Sequence, residues 1–341
     1  MRTDERPSGF KVGIDSYSLG PLNLSPFELL DWALINEAQG VQFSETPVEA
    51  GDPGFLRELA EYARRNGLYL EWGGGQHVPF DLSTGAPKDI AAGNRRAAEQ
   101  AALVGARTVR SCSGGLMRWR DDLPSTETLL REAAKSLSGQ KSLFLDRGVV
   151  LALETHFEFT THELLRLFDM AGVGPGEWLG ICLDTMNLLT MLEDPLAATR
   201  RVLPWVVTTH VKDGGIVLAD EGFRTFTAEA GTGIVDFAGI LEALAGLSGG
   251  IALTVEDHGG DFSIPVFDPL FLAKFPDLTV RELASLLRLA RRTSALMAEG
   301  RLAVLDRVRW PHLCEERVKR DLAAVKRLAV SRGPANNSGS F

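Results

Sequence analysis

The chain has 341 residues, of which 45% are hydrophobic and 24% charged, enough apolar content for one sizeable core and close to the soluble average. Its 36 basic and 45 acidic side chains leave a net charge of −9, which repels a phosphate backbone and excludes nucleic acid as the expected partner. Cys112, Cys182 and Cys314 lie far apart with no Cys-x-x-Cys pair, which opposes a disulfide framework or a thiolate zinc site and fits a reducing, cytoplasmic setting.

In chain order, residues 1–10 read as a polar tail with no apolar signal-peptide stretch. Lys11–Tyr17 is the first strand, and Ser25-Pro26-Phe27-Glu28 a capping box with proline at the first helical position. Gly40–Ser44 is the second strand; Asp52-Pro53 opens the next helix and Gly67 closes it. Further strands are predicted at Leu68–Trp72, Thr108–Ser111, Val149–Glu154, Leu179–Asp184, Val206–His210 and Ile251–Glu256, with Asp194-Pro195 opening a helix between the sixth and seventh. Gly259–Leu278 is a long connection carrying Phe262, Phe267, Phe271 and Phe275, either a lid or contact loop, or aromatics packed on the outer layer. Thr279-Val280-Arg281-Glu282 is a second capping box, and a helical stretch at Pro311–Val330 covers a barrel edge or joins subunits. Residues 333–341 are Gly/Asn/Ser-rich and read as disordered. No apolar run approaches the ~20 residues of a membrane span, so no membrane partner is expected.

Eight near-continuous apolar runs alternating with amphipathic stretches imply a parallel sheet buried on both faces. With no Gly-rich dinucleotide fingerprint after the first strand, a closed barrel is favoured over an open sheet. The predicted class is α/β, a (β/α)8 TIM barrel over 11–300 with a C-terminal helical extension over 301–332.

TIM-barrel chemistry sits at the C-terminal ends of strands. Four successive runs end in ionisable residues: Glu154, Asp184, His210 and Glu256. Three carboxylates around one point repel each other and lose solvation, so they call for a compensating cation. An oxygen-rich set with one imidazole suits Mn²⁺, Mg²⁺ or Co²⁺, with Zn²⁺ also admissible. Trp72 is either core or a flat platform for the apolar face of a sugar, and His77 and Arg118, in loops after the third and fourth strands, are candidate substrate contacts. No Gly-rich phosphate loop is present, so a phosphorylated substrate is not expected.

With these residues placed, the chain from about Lys11 to His258 resembles the xylose-isomerase-like TIM-barrel superfamily of sugar phosphate isomerases and epimerases. The resemblance rests on Glu154 in LETH, Asp184 in CLDTMN, the HVKD at His210–Asp213, GTGIVDF at Gly231–Phe237 and Glu256 in VED. It implies that Glu154, Asp184, His210 and Glu256 bind one divalent metal, manganese first. It also implies proton removal next to the carbonyl of a sugar or keto-sugar, with Glu154 and Glu256 as base and acid.

Two features depart from the ketose epimerases of that family. Asn187 stands where many have a substrate-contacting histidine, and His156 in Glu-Thr-His resembles the 3-dehydroshikimate dehydratases, so a lyase is the alternative and His156 its candidate proton carrier. Lys212 reads as a substrate-oxygen contact or a salt-bridge partner of Asp213, and His258 as a substrate contact or a brace for Glu256. The family includes endonuclease IV, which the acidic charge balance opposes here, and C-glycoside deglycosidases. The latter imply an oligomer, with room for a smaller second subunit.

Overall fold

The computed structural model describes residues 9–247 and 250–332; the predicted tail at 333–341 and residues 1–8 lie outside them. Eleven strands form among the described residues: β1 (Lys11–Asp15), β2 (Gly40–Phe43), β3 (Tyr69–Gly75), β4 (Thr108–Ser111), β5 (Val150–Glu154), β6 (Leu179–Asp184), β7 (Val206–Val211), β8 (Asp213–Ala219), β9 (Gly222–Ala228), β10 (Ala252–Val255) and β11 (Asp261–Ile264). The first seven and β10 close into a parallel barrel in the order β1-β10-β7-β6-β5-β4-β3-β2, the predicted TIM barrel. All six residues of β6 are buried, as a strand covered on both faces requires.

The helices start where their capping chemistry places them. Glu28 Oε2 accepts from Ser25 N–H at 2.8 Å while Ser25 Oγ accepts from Glu28 N–H, and Thr279 and Glu282 repeat the exchange. Each box satisfies two of the helix's unpaired N–H groups.

The chain between β7 and β10 contains an antiparallel hairpin, β8–β9, that the sequence did not announce. Part of the long connection Gly259–Leu278 becomes β11 and extends this hairpin to three strands. Phe271 and Phe275 are buried in a second core with Met186, Leu189, Phe223, Ile264 and Leu286, whereas Phe267 is exposed. The helix Val280–Ala298 lies over β8, where Ile216 N–H donates to Thr293 Oγ1 at 3.3 Å. The predicted C-terminal helix is present as Trp310–Arg332. It packs on β1 and β10, and Trp310, Cys314, Val318, Leu322 and Val325 join the main core.

Two predicted substrate contacts are instead structural. Trp72 is fully buried; its Nε1 donates to Gln100 Oε1 at 3.2 Å, on the helix Ala91–Val104, and its ring lies 5.4 Å from Phe43. The indole therefore faces the helical layer, not the mouth of the barrel. Arg118 is buried in an ion pair with Glu163, donates to the carbonyl of Lys274, and holds its guanidinium 4.6 Å over the Phe275 ring. Burial without compensation would be costly, and these partners supply it. Arg118 thus ties the β4 loop to the Phe-rich connection. Arg118→Met is expected to lower the free energy of unfolding by about 3 kcal/mol, because buried Glu163 loses its close guanidinium partner and keeps, among the described residues, only Arg166 at 3.9 Å. Steady-state kinetics should show KM within about twofold of wild type, and a large KM increase with unchanged stability would return Arg118 to the substrate site.

Candidate metal centre

The polar residues inside the barrel lie on its strands at alternate positions, since side chains two apart share a face. Glu154 ends β5, Asp184 ends β6, His210 lies in β7 and Glu256 follows β10; all four are buried. One donor atom from each lies within 4.8 Å of all the others. His210 Nδ1 is 3.4 Å from Glu154 Oε1 and 3.6 Å from Glu256 Oε2. Bonds of about 2.1 Å to a shared ion would separate neighbouring donors by about 3.0–3.5 Å, so the spacing fits a divalent cation.

The imidazole orientation supports the same fit. Gln42 Nε2 donates to Glu71 Oε2 at 2.7 Å, so its Oε1 is turned toward His210 Nε2 and accepts a hydrogen bond there. Glu71 is held in place by a further hydrogen bond from Thr208 Oγ1 at 2.8 Å. With Nε2 committed to Gln42, Nδ1 is the ring position left for a cation; burial opposes a charged ring, but Cys182, Glu256 and Glu154 raise the imidazole well above its usual range, so a bound ion would take the place of the Nδ1 proton. Nδ1 is buried and has no hydrogen-bond partner among the described residues, although it faces two carboxylates. A ring nitrogen among anions is the disposition a metal ligand needs.

Each carboxylate also has a cationic neighbour. Arg110, on β4, donates to Glu154 Oε2 from Nε at 2.7 Å and from a second nitrogen. Lys212 Nζ lies 2.8 Å from Asp184 Oδ2 and bonds Glu256 Oε2. Asp184 Oδ1 accepts the N–H groups of Met186 and Asn187, both at 2.8 Å. Burial opposes ionisation of Glu154, but Arg110 and His210 reverse this and hold its carboxyl well below the usual range. Burial likewise opposes ionisation of Glu256, and Lys212 and His210 keep it ionised. For Asp184 burial prevails over Lys212, with Glu256 and Glu154 adding repulsion, and the carboxyl is pushed up to about 6. Asp15, at the end of β1, is pushed up to about 6 by burial against the opposing pull of His210.

The other predicted residues divide by position. Asn187 Nδ2 is 3.4 Å from Glu154 Oε1, beside the candidate ligands. Lys212 pairs with Asp184 and Glu256, not with Asp213. Asp213 instead accepts the backbone N–H groups of Gly214, Gly231, Gly233 and Val235, and so fixes the Gly-Thr-Gly turn, where Gly231 has φ of +84°. His156 Nδ1 lies 3.0 Å from Glu158 Oε2. His77 is fully buried, with Nδ1 2.9 Å from Ser111 Oγ. His258 Nδ1 donates to the carbonyl of Gly259 at 2.7 Å, and burial with Lys212 nearby pushes the imidazole down to about 4, so it is neutral. It lines an open groove at the C-terminal strand ends with Tyr17, Glu45 and Arg307. A second hollow, among Lys11, Tyr69, Thr108 and Ala252, lies at the opposite end, where this fold does not place its chemistry. Arg110, Gln42, Glu71 and Asp15 were not singled out from the sequence; their signal is a polar residue inside or ending an otherwise apolar strand.

Comparison with known proteins agrees with this architecture. The uncharacterized protein YihM of Escherichia coli (strain K12) is 23% identical over 251 residues, 72% of this chain and 70% of that protein. The crystal structure of a D-allulose 3-epimerase from Methylomonas sp. superposes with a TM-score of 0.59 at 14% identity, covering 95% of this chain and 99% of that one. That of the probable 3-DHS dehydratase AsbF from Bacillus anthracis gives 0.56 at 16% identity, covering 77% and 97%. At these identities the structural matches establish a shared fold. Residues 30–292 match the model of the xylose isomerase-like TIM barrel family, and the chain belongs to that family.

Proposed function

We propose that this protein is a divalent-metal-dependent isomerase or epimerase of a sugar or sugar-like keto compound. The observation that carries the reading is the unpartnered Nδ1 of His210, held between Glu154 and Glu256 with Asp184 completing the donor set. The ion expected on donor grounds is Mn²⁺, with Mg²⁺, Co²⁺ and Zn²⁺ as the other candidates. When bound, it supplies Lewis acidity for a substrate carbonyl and a neighbouring hydroxyl.

The chain's own groups then handle the proton. Glu256 stays ionised because of Lys212 and His210, and serves as the base that removes the proton next to the carbonyl. Glu154, from the other side of β7, relays a second proton, drawn from solvent or a substrate hydroxyl, to the enediolate, and Glu256 gives up the first to solvent at the end of the turnover. Delivery to the opposite face gives epimerisation; delivery to the adjacent carbon gives isomerisation. Lys212 keeps the negative charge of the site balanced while the enediolate develops. The likeness to solved structures of L-ribulose, D-psicose and D-allulose 3-epimerases supports the reading.

A second reading, a lyase that eliminates a β-substituent from an oxidised sugar or cyclic keto acid, is favoured by two features. His156 is oriented by Glu158 and Asn187 replaces a histidine, as the likeness to a probable 3-DHS dehydratase would suggest. Incubating candidate ketoses with the manganese-loaded protein in D₂O separates the two. Deuterium at the carbon next to the carbonyl, with scrambled stereochemistry, is the expected result. Loss of water or of an aglycone would establish the lyase instead, and no exchange with any substrate would sink both.

The site also carries a pH signature. A protonated carboxyl does not ligate, and Asp184 titrates near 6, so protons compete with the metal below that value. Mn²⁺ affinity, measured by electron paramagnetic resonance of free ion, is expected to rise with pH through 6 and beyond, because His210 must also shed a proton to bind. Below about pH 6, affinity should fall by roughly tenfold or more per pH unit. A flat profile from pH 7 to pH 4 would remove Asp184 from the ligand set.

A further inference from the structure

Beside the site just described, the loops after β4 and β5 bring together a thiol, an imidazole and a carboxylate that the proposed proton transfer does not use. One donor atom from each of Cys112, His156 and Glu158 lies within 4.8 Å of the others. Cys112 Sγ is 4.0 Å from Glu158 Oε1, and His156 Nδ1 is 3.0 Å from Glu158 Oε2. Tetrahedral zinc with bonds of about 2.0–2.3 Å places its donors about 3.3–3.7 Å apart, between these two distances. Glu158 is buried, and Gly114 N–H fixes its Oε1 at 2.5 Å, leaving Oε2 toward the imidazole. Ser113 Oγ accepts from the N–H groups of His77 and Val78, which braces the loop that carries Cys112 against the chain after β3. Cys112 and His156 are partly exposed, so the group opens toward solvent on one side and has room for an exogenous ligand.

We infer that Cys112, His156 and Glu158 form a second cation site, selective for a thiophilic divalent ion of the zinc class. The Glu154–Asp184–His210–Glu256 set offers oxygen and one nitrogen and suits harder ions. The second set adds sulfur, which manganese and magnesium do not favour and zinc does. Loading releases two protons to solvent, the thiol proton of Cys112 and the Nδ1 proton that bonds Glu158, and replaces them with metal–sulfur and metal–nitrogen bonds; the imidazole keeps its proton on Nε2. Cysteine spacing gave no hint of such a site, because it uses a single thiol and draws its other two donors from the neighbouring strand. Occupancy would hold the mouths of β4 and β5 together, and would withdraw His156 from the acid role that the lyase reading assigns it.

Cobalt(II) tests this, since a cobalt–thiolate bond absorbs strongly in the near ultraviolet and cobalt with only oxygen and nitrogen donors does not. The full-length protein is stripped with chelator, its oxygen-rich site filled with excess Mn²⁺, and one equivalent of Co²⁺ added. The expected result is a thiolate-to-cobalt band in wild type and in Asp184→Asn, absent in Cys112→Ser, with Co²⁺ affinity at least tenfold lower in Glu158→Gln. Zn²⁺ should displace the band and slow iodoacetamide alkylation of Cys112 at least tenfold, with circular dichroism reporting the fold of each variant. No band in wild type would overturn the proposal, as would an undiminished band in Cys112→Ser, which would move the thiolate to Cys182 or Cys314. Retained Mn²⁺ binding in either case leaves the first site standing.

Discussion

His210→Ala is expected to bind no stoichiometric Mn²⁺ and to lose at least about 10³-fold in kcat/KM, roughly 4 kcal/mol of transition-state stabilisation. The imidazole contributes the only nitrogen donor of the oxygen-rich set, and its Nδ1 lies within 3.6 Å of both Glu154 and Glu256. Removing it takes a ligand from the centre and leaves three carboxylates facing a gap. Elemental analysis of dialysed protein and initial rates on whichever ketose exchanges deuterium check both halves. Full metal content with full activity in this variant would dismantle the proposed centre.

Lys212→Met gives the opposite kind of result, a loss confined to the metal-free protein. The ammonium is buried between Asp184 and Glu256, and burial disfavours its charged form, yet those two carboxylates raise its pKa far above the usual lysine value. Replacing it with a neutral chain of similar length leaves two buried carboxylates without their cation, a change worth about 3–5 kcal/mol. Urea unfolding in chelator should show that deficit. Saturating Mn²⁺ should close most of it, because a ligand that binds only the folded state adds stability by mass action and brings the missing positive charge. Equal stability of variant and wild type in chelator would mean that Lys212 does not compensate the site.

The metal-site residues were legible because four apolar strands each carry one ionisable side chain at or beside their C-terminal end, and the fold fixes which end carries the chemistry. Their electrostatic partners were harder to read. Arg110 stands 44 positions from Glu154, inside the short run Thr-Val-Arg-Ser, where a single polar residue is as compatible with a solvent-facing side as with a barrel interior. Lys212 invites pairing with its neighbour Asp213, but successive residues of an extended chain point to opposite faces. The lysine therefore shares the side of His210, and the aspartate turns to the Gly-Thr-Gly loop. Arg118 and Trp72 show the limit from the other direction. An arginine in a loop and an indole near a strand end carry no period, so their destination depends on contacts made far along the chain, at Glu163, Lys274 and Gln100.

The helix Trp310–Arg332 does more than cover β1 and β10. Arg317 lies 2.8 Å from Asp257, next to the proposed base, and Asp321 accepts the N–H of Ala230 at 2.7 Å. The seam between β1 and β10 is thus sealed by a helix that follows all eight barrel strands in the chain. During synthesis, β1 emerges long before the segment that shelters it exists. The outer wall is therefore completed only after every barrel strand has been made. A stop codon just before Trp310 should yield a product that is degraded or aggregates, not a shortened enzyme.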